Sequence, residues 1–131
     1  MRLRINIVIS VLALITIIWG VRFAVAQERK RVPEFLQNQY RDLNRTFFRN
    51  SLPSAIVEWA DLTDADNMGQ TMQQGDGTFL IQVDRTSNTR DEDLRDTMEH
   101  ETCHVATWGQ EEDPHGPLFQ DCMAGIQADK P

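Results

Sequence analysis

The sequence predicts an α+β domain: an N-terminal helix, a small three-stranded antiparallel sheet, a long central helix and a C-terminal helix. Three observations carry that expectation. Apolar residues recur at spacings of three and four over 33–50, 89–108 and 117–126, as helices with one buried face require. Runs rich in β-branched and aromatic residues occupy 55–60 and 78–84. An Asp76-Gly77 pair precedes the second run, a turn signal that joins it to a short strand over 68–73 as a hairpin. With 131 residues the chain holds one domain of ordinary size.

Residues 1–26 read as a signal peptide or membrane anchor, leaving 27–131 as the folded domain. Arg2 and Arg4 give a basic start, residues 5–21 are almost wholly apolar, and Ala24-Val25-Ala26 offers a cleavage site before Gln27. The domain is therefore expected to be exported, or held by a single span with membrane association through residues 5–21. Arg22, Arg29, Lys30 and Arg31 follow the apolar run, so a cytoplasm-facing anchor stays open as the alternative topology.

In the first helix Phe35, Leu36, Tyr40, Leu43, Phe47 and Phe48 form the apolar face, Pro33 suits the start, and Asn50 to Pro53 ends it. Tyr40, the single tyrosine, is read as a core or surface residue rather than an active-site hydroxyl. Val57 and Trp59 lie on one face of the first strand. The aspartates at 61, 64 and 66 are read as a solvated turn, because they lack the spacing of a calcium loop. Residues 78–84 make the strongest strand. Thr89 and Glu92 then match a capping box opening the central helix, which runs to about Trp108. At about 100° per residue, Leu94, Met98, Glu101, Val105 and Trp108 share one sector that packs into the core, with Cys103 opposite. Pro117 starts the last helix, whose apolar face comprises Leu118, Phe119, Cys122, Met123 and Ile126.

The central helix carries the chemistry. His100-Glu101-Thr102-Cys103-His104 spells H-E-x-x-H: the two histidines stand one turn apart and can reach one metal ion, and Glu101 projects beside them. In that motif the metal is zinc, and the glutamate is the general base for a zinc-bound water. His115, eleven residues beyond His104, is the third candidate ligand; the chain has only three histidines. Glu111 and Glu112 are read as loop surface.

These residues resemble the SprT-like family of zinc metallopeptidases, which includes the Spartan-type proteases. Phe47-Phe48 before Leu52-Pro53, Val57, Trp59, Gly69 and Thr78-Phe79-Leu80-Ile81 resemble its opening. The H-E-x-x-H with Trp108, then His115-Gly116-Pro117-Leu118-Phe119, resembles its H-E-x-x-H…H-G-P-x-F signature. The resemblance implies a compact zincin-like fold whose edge strand lines a substrate cleft. It also implies zinc on His100, His104 and His115, with Glu101 as catalytic base and a protein or peptide as substrate. Other zincin patterns fit less well: Thr107 and Gln110 stand where a metzincin needs glycine and histidine, and no glutamate follows Glu112. The reading from another class is a non-catalytic zinc-stabilised binding domain of the same fold, which would have no need of Glu101.

Charge and cysteines bound the partners. Residues 1–26 hold three arginines and no acids, so the remainder sets ten bases against 20 acids. That balance argues against nucleic-acid binding, which is mostly a basic-surface effect. Cys103 and Cys122 are either one disulfide or two buried thiols, and no Cys-x-x-Cys pair exists for a structural zinc site.

Overall fold

The computed structural model describes residues 33–63 and 67–128. The expected signal or anchor over 1–26 lies outside them, as do Asp64 and Asp66. Among the described residues no helix is long and apolar enough to cross a membrane. The elements are α1 (Pro33–Phe48), β1 (Ala55–Ala60), β2 (Gly69–Gln73), β3 (Phe79–Asp84), α2 (Asp91–Thr107) and α3 (Pro117–Ala128).

The sheet is mixed, which corrects the antiparallel expectation. Its order is β1-β3-β2, with β3 central. β1 runs parallel to β3, from Ala55 opposite Phe79 to Ala60 opposite Asp84. β2 runs antiparallel to β3, pairing Gly69 with Val83 and Gln73 with Phe79. The reason lies in composition. A simple meander would put the polar strand Gly-Gln-Thr-Met-Gln in the middle. Here the most buried strand takes the centre instead, where both its edges are paired, and Phe79, Ile81 and Val83 are buried. The expected hairpin joins β2 to β3: Gln74 donates to the Thr78 carbonyl at 2.8 Å, and Asp76 accepts from the Thr78 amide and hydroxyl.

The principal core joins Leu36 and Tyr40 of α1, Ala55, Val57, Phe79, Ile81 and Val83 of the sheet, and Leu94, Met98 and Val105 of α2. The other sheet face is more polar, with Gln70, Gln82 and Glu58 linked in a hydrogen-bonded row across three strands. Gln37 of α1 covers part of the β1 edge, donating to the Ala55 carbonyl and accepting from the Val57 amide. Tyr40 is a core residue, as expected: its hydroxyl donates to the Pro53 carbonyl at 2.6 Å, and burial pushes its pKa up to about 12.

Three helical details differ from expectation. α2 starts after Arg90, with no side-chain cap, rather than at a Thr89 capping box. Its phase is set by buried Asn88, which donates to the Met68 and Asp84 carbonyls and accepts from the Thr97 hydroxyl. Trp108 leaves the helical path at the C-cap and is 42 % exposed, meeting Phe79 only edge-on at 5.5 Å. Leu118, at the start of α3, also faces outward. Cys103, on the side of α2 away from the core stripe, is nevertheless fully buried. A second core of Cys103, Phe119 and Ile126, flanked by Phe47, Phe48, Cys122 and Met123, covers that side. Within it Cys103 and Cys122 form a disulfide that ties α2 to α3, resolving the two alternatives.

Candidate metal centre

His100 and His104 project one turn apart from α2, whose other side is locked into the core by Met98 and Val105. His115 comes from the loop before α3. Its amide donates to the Asp113 carboxylate at 2.9 Å, and its carbonyl accepts from the Gln120 side chain. The three rings meet through their Nε2 atoms, 3.1 Å between His104 and His100 and 3.2 Å between His115 and His100. Phe119 lies against all three, with centroid distances of 4.6 to 4.8 Å.

These spacings fit a single small cation. Tetrahedral zinc with nitrogen ligands at about 2.0–2.1 Å separates those nitrogens by roughly 3.3 Å. All three ligand atoms lie within 4.8 Å of one another. Protonation is suited to the role as well. Burial and then the His100 and His115 charges lower His104 to about 4, and burial followed by the His115 charge lowers His100. Both shifts favour the neutral imidazole, the form that binds a metal.

Glu101 follows His100 on α2 and is only 4 % exposed. Its Oε2 accepts from the Thr71 hydroxyl of β2 at 2.7 Å, and the same hydroxyl lies 3.2 Å from its carbonyl oxygen. Burial pushes its carboxyl up to about 7, against the lowering effect of that hydrogen bond. Gly69 allows β2 to come this close: a Cβ there would lie 2.8 Å from Glu101 Oε1 and 2.8 Å from Thr97 Cγ2. A cavity of about 510 Å³ opens beside His100 and Glu101, bordered by Met68, Gly69, Thr97 and Met123 among others.

The three histidines singled out in the sequence come together, and Glu101 lines a cavity with His100. Sequence reasoning missed their supports. Glu111, expected on the loop surface, accepts from the Leu118 amide at 3.1 Å and the Phe119 amide at 3.0 Å, so it caps α3 from seven residues upstream. Gly116 makes room for it, since a Cβ there would lie 2.6 Å from Glu111 Oε2. A capping acid is recognised in sequence from its place immediately before a helix, and Glu111 lacks that place. Gly69 was read only as part of the family resemblance, and Thr71 only as a residue of a weak strand.

Fold and site together define a small α+β domain built around three histidines able to hold a metal ion, with a buried glutamate beside them. The chain belongs to the SprT-like family, whose model matches residues 36–130, from the first turn of α1 to beyond the end of α3. A comparison with curated proteins returns no match.

Proposed function

We propose that this domain is a zinc-dependent metallopeptidase with His100, His104 and His115 as metal ligands and Glu101 as catalytic base. The observation that carries the reading is the buried carboxylate of Glu101, opening with His100 on one cavity. Three imidazoles suffice to bind the metal, so a carboxylate buried next to them at a cost in desolvation, on the cavity that His100 also lines, supports a catalytic role. Zinc held by three neutral imidazoles supplies Lewis acidity and brings a water toward its deprotonated form near neutral pH.

Glu101 takes the proton as the water oxygen forms a bond to the peptide carbonyl carbon. It then delivers that proton to the amide nitrogen as the C–N bond breaks, which leaves a carboxylic acid and an amine that ionise to carboxylate and ammonium at neutral pH. β2 is an edge strand, and an extended peptide laid along it would pass the glutamate. The buried disulfide accords with an oxidising compartment, and so with export or an outward-facing anchor through residues 5–21. The acidic balance favours protein or peptide substrates over nucleic-acid partners.

The test is Glu101→Gln. That protein is expected to bind one zinc, fold as wild type, and lose peptide-bond hydrolysis by about 100-fold or more. If the wild type binds zinc but cleaves nothing in a broad peptide and protein panel, the domain is the non-catalytic binding module instead.

A further inference from the structure

The geometry points to Thr71 as a positioning residue for Glu101, with its hydroxyl fixing which way the carboxylate turns. The inference rests on the peptidase reading above. Gly69 and Thr71 are two apart on β2, so they face the same side of the strand, and both meet Glu101. Gly69 presents bare backbone to Oε1 and Cγ of the glutamate, and Thr71 donates to Oε2 at 2.7 Å. A glutamate has three rotatable side-chain bonds, and burial alone does not choose among its rotamers. The hydroxyl commits Oε2 to the strand, while Oε1 lies by Gly69, which lines the cavity together with Glu101 and His100. Because β2 is also the edge that would receive substrate, the same strand sets both the substrate and the base.

Thr71 is half-buried, so valine can replace it with nearly the same shape and no donor. Thr71→Val is expected to keep zinc stoichiometry and a cooperative fold, with a modest drop in thermal midpoint from the lost donor, while kcat falls by roughly 10- to 100-fold, the range for groups that orient a reacting residue. KM should change little. Thr71→Ser, which keeps the hydroxyl, is expected to recover most of the loss. A role in packing alone predicts the reverse, with valine near wild type and serine, which loses the methyl group, the more impaired, and that result overturns the inference. So does a Thr71→Val enzyme with wild-type kcat.

A second readout needs no activity. Side-chain NMR of Glu101 in the zinc-free protein should show one fixed rotamer in wild type and Thr71→Ser and averaging in Thr71→Val. Equal order in all three refutes the positioning role, even if the domain proves not to be a peptidase. A zinc-loaded wild type that cleaves nothing, with rotamer order lost only in Thr71→Val, refutes the peptidase reading and leaves the positioning role intact.

Discussion

Replacing Cys103 and Cys122 together by alanine should cost the domain a large share of its stability while leaving its metal site assembled. The two cysteines are 19 residues apart in sequence, with Cα atoms separated by 5.8 Å. The loop-closure relation for a ring of that size gives about 11 cal/mol/K of entropy removed from the unfolded chain, or about 3 kcal/mol at 25 °C. Domains of this length are stable by only about 5–15 kcal/mol. The corresponding drop in thermal midpoint is roughly 12–24 °C, at about 4–8 °C per kcal/mol. Because most of the effect acts through the unfolded state, the native positions of His100, His104 and His115 should survive and zinc stoichiometry should stay at one. Urea titration of the zinc-loaded protein, with and without a phosphine reductant, measures the cross-link alone. The alanine pair adds the lost packing of a fully buried Cys103. A reduced protein within about 1 kcal/mol of the oxidised one would show that α2 and α3 are held by packing and that the chain-entropy reasoning does not apply here.

Two further outcomes follow from single residues. His115→Ala should weaken zinc affinity severely and remove most of the stabilisation that zinc confers, because metal binding free energy is also folding free energy; chelator competition and calorimetry with and without zinc measure both. Asp84 should make the domain acid-sensitive: Oδ2 accepts from the Thr86 hydroxyl and from the Thr86 and Ser87 amides, and Oδ1 accepts from the Leu62 amide, which together hold its carboxyl well below the ordinary carboxylate value of 3.8. A depressed folded pKa means its contribution is fully present above the unfolded value and fades as the pH drops below about 4. Asp84→Asn should lose about 1–3 kcal/mol at pH 7 and flatten the acid limb of the stability profile, as read from urea midpoints at pH 7, 4 and 3.

What could be read in advance followed from periodicity and from one dense motif. H-E-x-x-H sets two histidines one turn apart with the glutamate between them by helix geometry alone, and the third histidine, before Gly-Pro, joins them in the structure. Strand order was not legible, because hairpin signals describe neighbours in sequence and say nothing of which strand earns the centre. The preference for the apolar β3 over the polar β2 decides that only once both faces and edges are counted. The start of α2 was misplaced for a related reason. Thr89 and Glu92 offer a local cap, but Asn88 makes three hydrogen bonds in the interior, and buried polar groups must be satisfied before exposed ones. Trp108 and Leu118 were assigned inward by spacing, yet each stands at a helix end, where the periodicity no longer describes the backbone.

The three histidines are held unequally, and that asymmetry explains the place of the glycine and phenylalanine after His115. His100 and His104 ride on a helix anchored by Met98, Val105 and the second core, so their spacing is set by the helix itself. His115 is exposed and sits on a loop, tied by one bond to Asp113 and one from Gln120, each worth about 0.5–1.5 kcal/mol net. Those two bonds alone are a weak tether. The stronger restraint is indirect: Glu111 fastens the first turn of α3, Gly116 lets it in, and Phe119 then comes to rest against all three imidazoles. Thus His115-Gly116-Pro117-Leu118-Phe119 works as one unit, in which the histidine supplies the nitrogen and the residues after it carry that nitrogen to the other two.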